Sequence, residues 1–265
     1  MRILITGATG MIGSYLTPYL ANDHHVIATS RSAEELDAYK NQSNIETAQL
    51  DVSDMDACQR IIRDVDVVIH LAVAPLGSSW DDTLQANLIG MYNVIESARA
   101  SGVKRFIFTS SIHAVDQYPP DKQVEVTDLP HPSDLYGVSK VFGEALCSYY
   151  AHQKGLESIA IRIAAFNGLT AEDGEVNVNP RGLATYFHQD DLGPMIDHCL
   201  SLEMKEPYYV LNGSSDNRFK RLSMTMTKKI LEGYAPSYDA FEELDVEIEK
   251  TVDEEAIDDE IIDPD

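Results

Sequence analysis

The feature that most constrains this chain is a glycine-rich turn near its start. An apolar run at 2–6 leads directly into Gly7, Gly10 and Gly13, spaced as GxxGxxG, and a helical pattern follows. Glycine suits such a turn because the backbone bends sharply, approaches a diphosphate and lets the helix pack close to the strand. A glycine turn that binds nothing is the alternative. The turn predicts a dinucleotide site with the contacts Gly7, Thr9, Gly10, Met11, Ile12 and Gly13.

Short apolar runs alternate with helical patterns along the chain. Strands are predicted at 2–6, 26–29, 46–50, 66–71, 105–110, 158–163 and 208–211. Helices are predicted at 11–22, from Ala33 onward, and at 54–63, 81–101, 134–154, 189–203 and 223–232. Strands separated by helices of this length form βαβ units, so we expect an α/β fold. The expected architecture is a doubly wound parallel sheet (Rossmann) with a small C-terminal substrate lobe.

No internal repeat and no Gly/Ser-rich linker divides the chain. We therefore expect a nucleotide-binding core at 1–164, a small substrate lobe at 165–240 interleaved with the core, and an acidic tail at 241–265. The tail contains thirteen Asp or Glu and one Lys, a local charge of −12. It thus carries half of the net charge of −24.

The excess of acidic over basic residues excludes several classes of binding partner. The 265 residues contain 44 Asp plus Glu and 20 Lys plus Arg. Nucleic acid and anionic membrane surfaces both require a cationic face, so neither is expected as a partner. No run approaches the roughly 20 apolar residues of a membrane span, and we expect a cytoplasmic protein. The acidity suits a cytoplasm of high salt, where charges are screened within about 3 Å at 1 M, so we expect a salt-adapted source.

The cysteines and histidines do not indicate a metal site. Cys58, Cys147 and Cys199 are odd in number and lack CxxC spacing, which favours neither a disulfide framework nor zinc. His188 lies near Asp191 in sequence, without a third ligand nearby. We expect no metal.

The end of the second predicted strand bears on the choice of dinucleotide. NAD-preferring sites place a carboxylate there for the ribose hydroxyls, whereas this chain has Thr29, Ser30 and Arg31. Because Arg31 is available to a 2′-phosphate, Ser30 and Arg31 are predicted contacts of NADP, with NAD as the alternative. Asp51 and Val52 follow the third strand and are predicted near the adenine. A cap on the next helix is the other interpretation of Asp51.

Tyr136 and Lys140 carry the catalytic prediction. On a helix they stand one turn apart on the same face, so the ammonium lies close enough to favour a phenolate. Bringing a tyrosine from a pKa near 10 to about 7 takes about 4 kcal/mol, which a nearby ammonium and a cationic nicotinamide could supply together. YxxxK is common by chance, but here it follows the glycine turn and the strand end at Ser110 and Ser111. The combination predicts proton transfer by Tyr136.

Together these motifs resemble the extended short-chain dehydrogenase/reductase superfamily over about residues 1–235. The resemblance rests on Gly7, Gly10, Gly13, Asp51, Val52, His70, Leu71, Ala72, Asn87, Gly90, Ser110, Ser111, Tyr136 and Lys140. Within it, the segments 108–113, 135–144 and 181–191 look most similar to the uronate dehydrogenase and aldose 1-dehydrogenase branch. Nucleotide-sugar epimerases are the nearby rivals, and they generally carry a larger C-terminal lobe.

The resemblance implies a reaction and residue roles. Tyr136 would be the general base, Lys140 would bind the nicotinamide ribose and lower the tyrosine pKa, and Ser111 would hydrogen-bond the reacting hydroxyl. The implied reaction is NADP-dependent oxidation of a free sugar at C1 to the lactone. An NAD-dependent nucleotide-sugar epimerase or dehydratase is the alternative. Further implied cofactor contacts are Leu71, Ala72 and Asn87, and further substrate contacts are Ser110, His113 and Arg181.

Departures from the family pattern leave the sugar open. Ile112 stands where uronate dehydrogenases tend to have Asn, and the strand after Arg162 continues as Ala164 and Ala165 where they tend to have Ser. Arg181 remains where a sugar carboxylate would be held. A neutral aldose is slightly favoured over a hexuronate. Relatives commonly pair through the helices predicted at 81–101 and 134–154, so we expect a homodimer or higher homo-oligomer.

Overall fold

The computed structural model describes residues 1–167 and 180–243. In these residues seven strands form one parallel sheet, in the order β3-β2-β1-β4-β5-β6-β9, and two short strands, β7 and β8, pair separately. The strands are β1 (Arg2–Thr6), β2 (His25–Ser30), β3 (Ile45–Gln49), β4 (Val67–His70), β5 (Arg105–Ser111), β6 (Glu157–Ile163), β7 (Ala165–Phe166), β8 (Tyr186–Phe187) and β9 (Tyr208–Gly213).

Helices connect the strands and cover both faces of the sheet. They are α1 (Met11–Leu20), α2 (Met55–Ile61), α3 (Trp80–Thr83), α4 (Gly90–Ala100), α5 (Leu135–Lys154), α6 (Pro180–Thr185), α7 (Gln189–Ser201), α8 (Thr225–Ile230) and α9 (Ala240–Glu243). A π-helical segment, Leu84–Ile89, joins α3 to α4, so residues 80–100 form one continuous element. Two 3₁₀ turns lie at Glu35–Tyr39 and Ile112–Ala114.

The strand order reverses direction at β1. Ile3 of this strand pairs with Val26 of β2 on one side and with Val67 of β4 on the other. From β1 the chain first winds outward through β2 and β3, then returns to β4 and winds the other way. A crevice opens beyond the carboxyl ends of the strands at such a point, where ligands of this fold bind. The predicted fold class is confirmed.

The core lies on both faces of the sheet. Ile3 and Ile5 pack with Leu16 of α1 on one face, whereas Leu4 packs with Val68 on the other. Alternate residues of a strand point to opposite faces, so a sheet covered by helices on both sides needs apolar residues at nearly every strand position. The short continuous apolar runs in the sequence reflect this requirement.

Two predicted elements differ from the structure. The helix expected from Ala33 is only the 3₁₀ turn at Glu35–Tyr39, because Asn41 and Asn44 adopt left-handed backbone with φ of 67° and end any helical continuation. The strand expected at 208–211 extends to Gly213 and pairs with β6, so part of the predicted substrate lobe completes the central sheet.

The first residues of the predicted acidic tail belong to the folded part. Phe241 is buried in a cluster with Leu183, Tyr186 and Ala240. The rest of that tail, and residues 168–179 of the predicted substrate lobe, lie outside the described residues.

The described part of the chain contains neither a helix suited to span a membrane nor a cluster of side chains suited to bind a metal. None of its helices combines the length and the apolar character that crossing a bilayer demands. Its His, Cys, Asp and Glu side chains form no group of three that could hold a metal ion. Cys58, Cys147 and Cys199 are buried free thiols.

Candidate active site

A cavity of about 970 Å³ opens at the carboxyl ends of the central strands. It extends from the glycine turn to Tyr136 and Lys140. All predicted cofactor and substrate contacts except Asn87 lie in its wall. These are Gly7, Thr9, Gly10, Met11, Ile12, Gly13, Ser30, Arg31, Asp51, Val52, Leu71, Ala72, Ser110, Ser111, His113, Tyr136, Lys140 and Arg181.

The three glycines of the turn meet different spatial demands. Gly7 has a φ of +67°, and a Cβ there would lie 2.8 Å from the Ala72 nitrogen. A Cβ on Gly13 would lie 2.3 Å from the Gly7 carbonyl oxygen, so α1 packs directly against the turn. Around Gly10 there is room, because a Cβ would approach only the Gly7 oxygen, at 3.4 Å. The first and third glycines therefore close the turn, and the second leaves space for a ligand.

The N-terminus of α1 faces this space. Gly10 precedes the helix without a side-chain cap, and the first turn contains no acidic residue. The first N–H groups of a helix lack acceptors within it and carry a partial positive charge. This end of α1 therefore fits the diphosphate of a dinucleotide.

Glu35 lines the cavity beside Thr9 of the glycine turn, and the sequence motifs did not reveal it. Its carboxylate accepts hydrogen bonds from the Thr9 hydroxyl at 2.6 Å and the Ser30 hydroxyl at 2.8 Å. These bonds hold the pKa of Glu35 below its ordinary value. A carboxylate thus stands beside Ser30 and Arg31, although the second strand does not end in one. Because Glu35 lies five residues beyond the strand, the usual position of the ribose-binding acid did not reveal it.

Asp51 and Val52 line the cavity beyond β3. Asp51 accepts hydrogen bonds from the backbone N–H and the hydroxyl of Ser53, at 2.9 and 2.8 Å. The cap of α2 is Asp54 instead, whose side chain accepts the Ala57 N–H at 3.0 Å. The interpretation of Asp51 as the helix cap is therefore wrong, and its side chain borders the cavity.

Helix α5 begins at the cavity because Asp134 caps it. The Asp134 carboxylate accepts the Gly137 N–H and hydrogen-bonds His113 Nδ1, each at 2.7 Å. Burial raises the pKa of Asp134, but these bonds outweigh that effect and the net pKa is lowered. A Cβ on Gly137 would lie 2.3 Å from the His113 carbonyl oxygen, so glycine allows the helix to start this close to β5. The ring of Tyr136 then meets the His113 ring edge-on, with centroids 5.5 Å apart.

Lys140 is buried one helical turn after Tyr136, with 4% of its surface exposed. Its Nζ donates a hydrogen bond to the Thr109 carbonyl at 2.8 Å and lies 5.2 Å from the centroid of the Tyr136 ring. Burial lowers the pKa of Lys140 to about 7, because the ammonium loses its hydration. The amine is therefore placed beside the phenol, as the YxxxK spacing predicted.

The electrostatic part of that prediction relied on the Lys140 ammonium together with a cationic nicotinamide. Burial raises the pKa of Tyr136, and a hydrogen bond with Ser111 offsets this only in part. The protein's own groups therefore do not supply the expected lowering of the tyrosine pKa. Burial removes water from both side chains and so disfavours the charged form of each, the phenolate of Tyr136 and the ammonium of Lys140. Helical spacing alone does not reveal this effect.

The two serines at the end of β5 have different partners. Ser111 hydrogen-bonds Tyr136, and its hydroxyl accepts the His113 N–H at 3.2 Å. Ser110 donates its hydroxyl hydrogen to the Glu144 carboxylate at 2.6 Å. Glu144 also forms a buried ion pair with Arg162 of β6 through two hydrogen bonds of 2.9 Å. The serine hydroxyl beside Tyr136 is therefore that of Ser111.

Asn87 lies behind the cavity wall, within the π-helical segment. Its Oδ1 accepts the Ala74 N–H at 2.7 Å, and its Nδ2 donates to the Ser139 hydroxyl at 2.9 Å. Ser139 in turn donates to the Tyr136 carbonyl at 2.7 Å. Single π-helical turns are frequent at functional sites, where they redirect a side chain. The resemblance implies a cofactor contact at Asn87, whereas in the structure its side chain bonds Ala74 and Ser139 of α5 instead of lining the cavity.

Arg181, the predicted partner of a sugar carboxylate, is itself paired with a carboxylate. Its guanidinium bonds Asp116, with side-chain exposures of 72% for Arg181 and 7% for Asp116. Both residues line the same cavity as Tyr136. No motif pointed to Asp116, because it follows the catalytic strand in an irregular segment, 65 residues from Arg181.

The chain belongs to the NAD dependent epimerase/dehydratase family, which it matches over residues 3–189. The parallel sheet, the glycine turn and the Tyr136/Lys140 pair are consistent with this assignment. The resemblance to extended short-chain dehydrogenases is thereby confirmed.

Several of the relatives are named as dehydrogenases of sugars or uronates. The chain is 32% identical over 254 residues to an L-arabinose 1-dehydrogenase (NAD(P)(+)) of Haloferax volcanii, covering 89% of this chain and 96% of the relative. It is 30% identical over 217 residues to a uronate dehydrogenase of Pseudomonas syringae pv. tomato, covering 82% and 75%. A solved complex of a mutant uronate dehydrogenase from Agrobacterium tumefaciens with NAD has a TM-score of 0.82 at 28% identity, covering 97% of this chain and 92% of that one.

Proposed function

We propose that this protein is an NAD(P)-dependent sugar 1-dehydrogenase, which oxidises a neutral aldose or a hexuronate at C1 to the lactone. The observation that carries the proposal is the placement of Tyr136, Ser111 and Lys140 in one cavity with the glycine turn. The L-arabinose 1-dehydrogenase and uronate dehydrogenase relatives support the same chemistry on different sugars.

In the proposed reaction Tyr136 is the base and Ser111 positions the substrate. The Ser111 hydroxyl hydrogen-bonds the C1 oxygen, and the Tyr136 phenolate takes the proton of the C1 hydroxyl as the C1–H bond breaks and the carbonyl forms. The bound oxidised nicotinamide supplies the acceptor of the hydride. Lys140 binds the ribose next to the nicotinamide and, when protonated, supplies positive charge beside the phenolate.

The adenosine end of the cavity suits both dinucleotides. Arg31 lines this end of the cavity, and a pairing of its guanidinium with a 2′-phosphate would favour NADP. Glu35 lines it too, and hydrogen bonds from ribose hydroxyls to its carboxylate would favour NAD, whereas its charge would oppose a phosphate. We therefore propose that the enzyme uses both, and the NADP preference stays a prediction that the ratio of kcat/KM for the two cofactors tests.

We also propose a homodimer formed through α5 and the 80–100 element. Large apolar side chains are exposed along one stripe of α5, and others lie on the neighbouring element. They are Leu135, Val138, Phe142 and Tyr149 on α5, and Trp80 and Tyr92 on the 80–100 element. A contiguous exposed apolar patch marks a protein contact. Sedimentation analysis tests this proposal, and a monomer at micromolar concentration would contradict it.

The central test is reduction of added NAD and NADP by free pentoses, hexoses and hexuronates, followed by the absorbance of the reduced nicotinamide. Assays at low and molar salt also test the expected salt adaptation. Sugar-dependent reduction supports the proposal. A nucleotide-sugar epimerase would instead retain its cofactor through purification and give no net reduction with free sugars, and that result would refute it.

A further inference from the structure

The ion pair between Arg181 and Asp116 changes what the sugar end of the cavity can bind. Arg181 reaches the cavity from α6, and Asp116 lies just after the 3₁₀ turn that follows β5. The Asp116 carboxylate is almost fully buried, and the guanidinium that covers it is mostly exposed to the cavity and solvent. The positive charge of Arg181 thus faces the fixed negative charge of Asp116. The nearby Arg221 guanidinium interacts with Asp116 as well, and Asp121 supplies a further carboxylate close to Arg221.

Asp116 is held in place by its own segment. The guanidinium of Arg221 donates hydrogen bonds to the backbone carbonyls of Tyr118 and Lys122, and a longer one of 3.4 Å to that of Asp116. Gln117 donates its N–H to a backbone carbonyl at 3.0 Å. These contacts anchor the segment from Asp116 onward, so its carboxylate stays beside Arg181 when a ligand arrives.

A second carboxylate at Arg181 would meet this fixed charge. A hexuronate that placed its C6 carboxylate on the exposed guanidinium would bring a like charge close to Asp116, in a cavity partly shielded from water. A neutral aldose meets no such repulsion, since its hydroxyls donate to a carboxylate and accept from a guanidinium equally well. Ile112 and Ala164, which also line the cavity, have apolar side chains that cannot hydrogen-bond a hexuronate carboxylate.

We infer that Asp116 is a specificity residue that neutralises Arg181 and makes the site select neutral aldoses over hexuronates. The inference rests on the proposed sugar 1-dehydrogenase function and deepens it, because it names the substrate class. It assigns Arg181 the role of a hydrogen-bond donor to sugar hydroxyls rather than that of a carboxylate receptor.

The experiment compares sugars that differ only at C6, D-glucose with D-glucuronate and D-galactose with D-galacturonate, together with L-arabinose. For the wild type, kcat/KM should be at least about tenfold higher for the neutral member of a pair that it oxidises. Asp116→Asn keeps the shape and removes the charge, and should raise the uronate-to-neutral ratio at least about tenfold. Asp116→Ser, a smaller uncharged side chain, should move the ratio in the same direction and serves if the Asn variant unfolds.

The matched control is Asp239→Asn. Asp239 is also a nearly buried aspartate paired with an arginine, Arg218, but it lies outside the cavity wall. This control should leave the ratio unchanged. In Asp116→Asn the unpaired guanidinium of Arg181 is the group expected to bind the uronate carboxylate. Adding Arg181→Ala removes that guanidinium and should therefore abolish the gain on uronates.

Two failures are distinguishable. A folded wild type that oxidises neither kind of sugar overturns the proposed function and this inference with it. A wild type that oxidises sugars but prefers uronates, or folded Asp116 variants whose ratio stays at the wild-type value, overturn the inference alone.

Discussion

The two ends of the cavity are built in opposite ways. At the catalytic end, Lys140 and Ser111 are buried and Tyr136 is fixed by the capped start of α5. At the adenosine end, Arg31 and Glu35 are exposed on a short surface turn. The proposed chemistry is thus tied to the packing of the core, whereas the proposed contacts that select the dinucleotide come from surface groups that can change without disturbing the fold.

Because its side chains are buried, the end of the cavity with Tyr136 and Lys140 should respond strongly to substitution. A charge in the interior loses hydration, so its protonation depends on neighbours that are themselves buried. Exposed charges are screened by water and salt, and each contributes less. Substitutions at the two ends should therefore differ in size and in the property that they change, from catalysis and stability at one end to cofactor preference at the other.

Tyr136→Phe should have the largest effect. Without the phenol no base reaches the C1 hydroxyl, and we expect kcat to fall on the order of 10³-fold while cofactor affinity stays within a few-fold. Steady-state kinetics and a cofactor titration measure the two quantities. Tyr149→Phe, on the exposed side of the same helix, is the control and should keep full activity. Retained turnover in Tyr136→Phe would remove this residue from the mechanism.

The next largest effect should be a pH dependence of the free energy of unfolding that arises from Lys140. Its pKa is about 7 in the folded protein but near 10.5 in the unfolded chain, so between these values the unfolded chain binds the extra proton. The free energy of unfolding of the wild type, relative to Lys140→Met, should therefore rise with pH from 7 to 10, by up to about 1.4 kcal/mol per unit. Urea unfolding measures it, with Lys154→Met as the exposed control. A difference that is flat across this range would contradict a buried, easily deprotonated amine.

Asn87→Ala should have an intermediate effect through the catalytic helix. The Ala74 N–H and the Ser139 hydroxyl would lose a buried partner, and we expect a loss of about 1–3 kcal/mol in the free energy of unfolding. Because Ser139 is linked to the Tyr136 backbone, kcat should fall more than KM rises. Asn22→Ala, an exposed asparagine, should change neither. A purely structural residue would alter stability and leave kcat intact.

Changes at the exposed end should be smallest. Arg31→Ala should shift the preference between cofactors toward NAD, and Glu35→Gln should shift it toward NADP, each by no more than about fivefold, since exposed charges contribute about 1 kcal/mol or less. The ratio of kcat/KM for the two cofactors measures the shift, which should shrink at molar salt. Shifts in the same direction for both variants would show that these two charges do not act on the 2′ position in opposite senses.

Much of the molecule could be predicted from local pattern. Apolar runs of strand length separated by helical patterns gave the doubly wound sheet, and GxxGxxG after the first strand located the opening of α1. YxxxK placed Tyr136 and Lys140 correctly side by side, because a helix brings residues four apart onto one face whatever surrounds it. The predicted helix after Ala33 was wrong because left-handed asparagines at 41 and 44 end it, and helix propensity does not report them.

The sequence by itself determined the order of strands and helices, the glycine turn and the tyrosine–lysine pair, since each depends on residues close together in the chain. Only the tertiary structure decided which distant groups meet: Arg181 with Asp116, Asn87 with Ser139, and Glu35 with Thr9. It also decided the direction of the tyrosine pKa, which burial raises. Contacts and desolvation of this kind arise when separate elements pack, and no spacing along the chain encodes them.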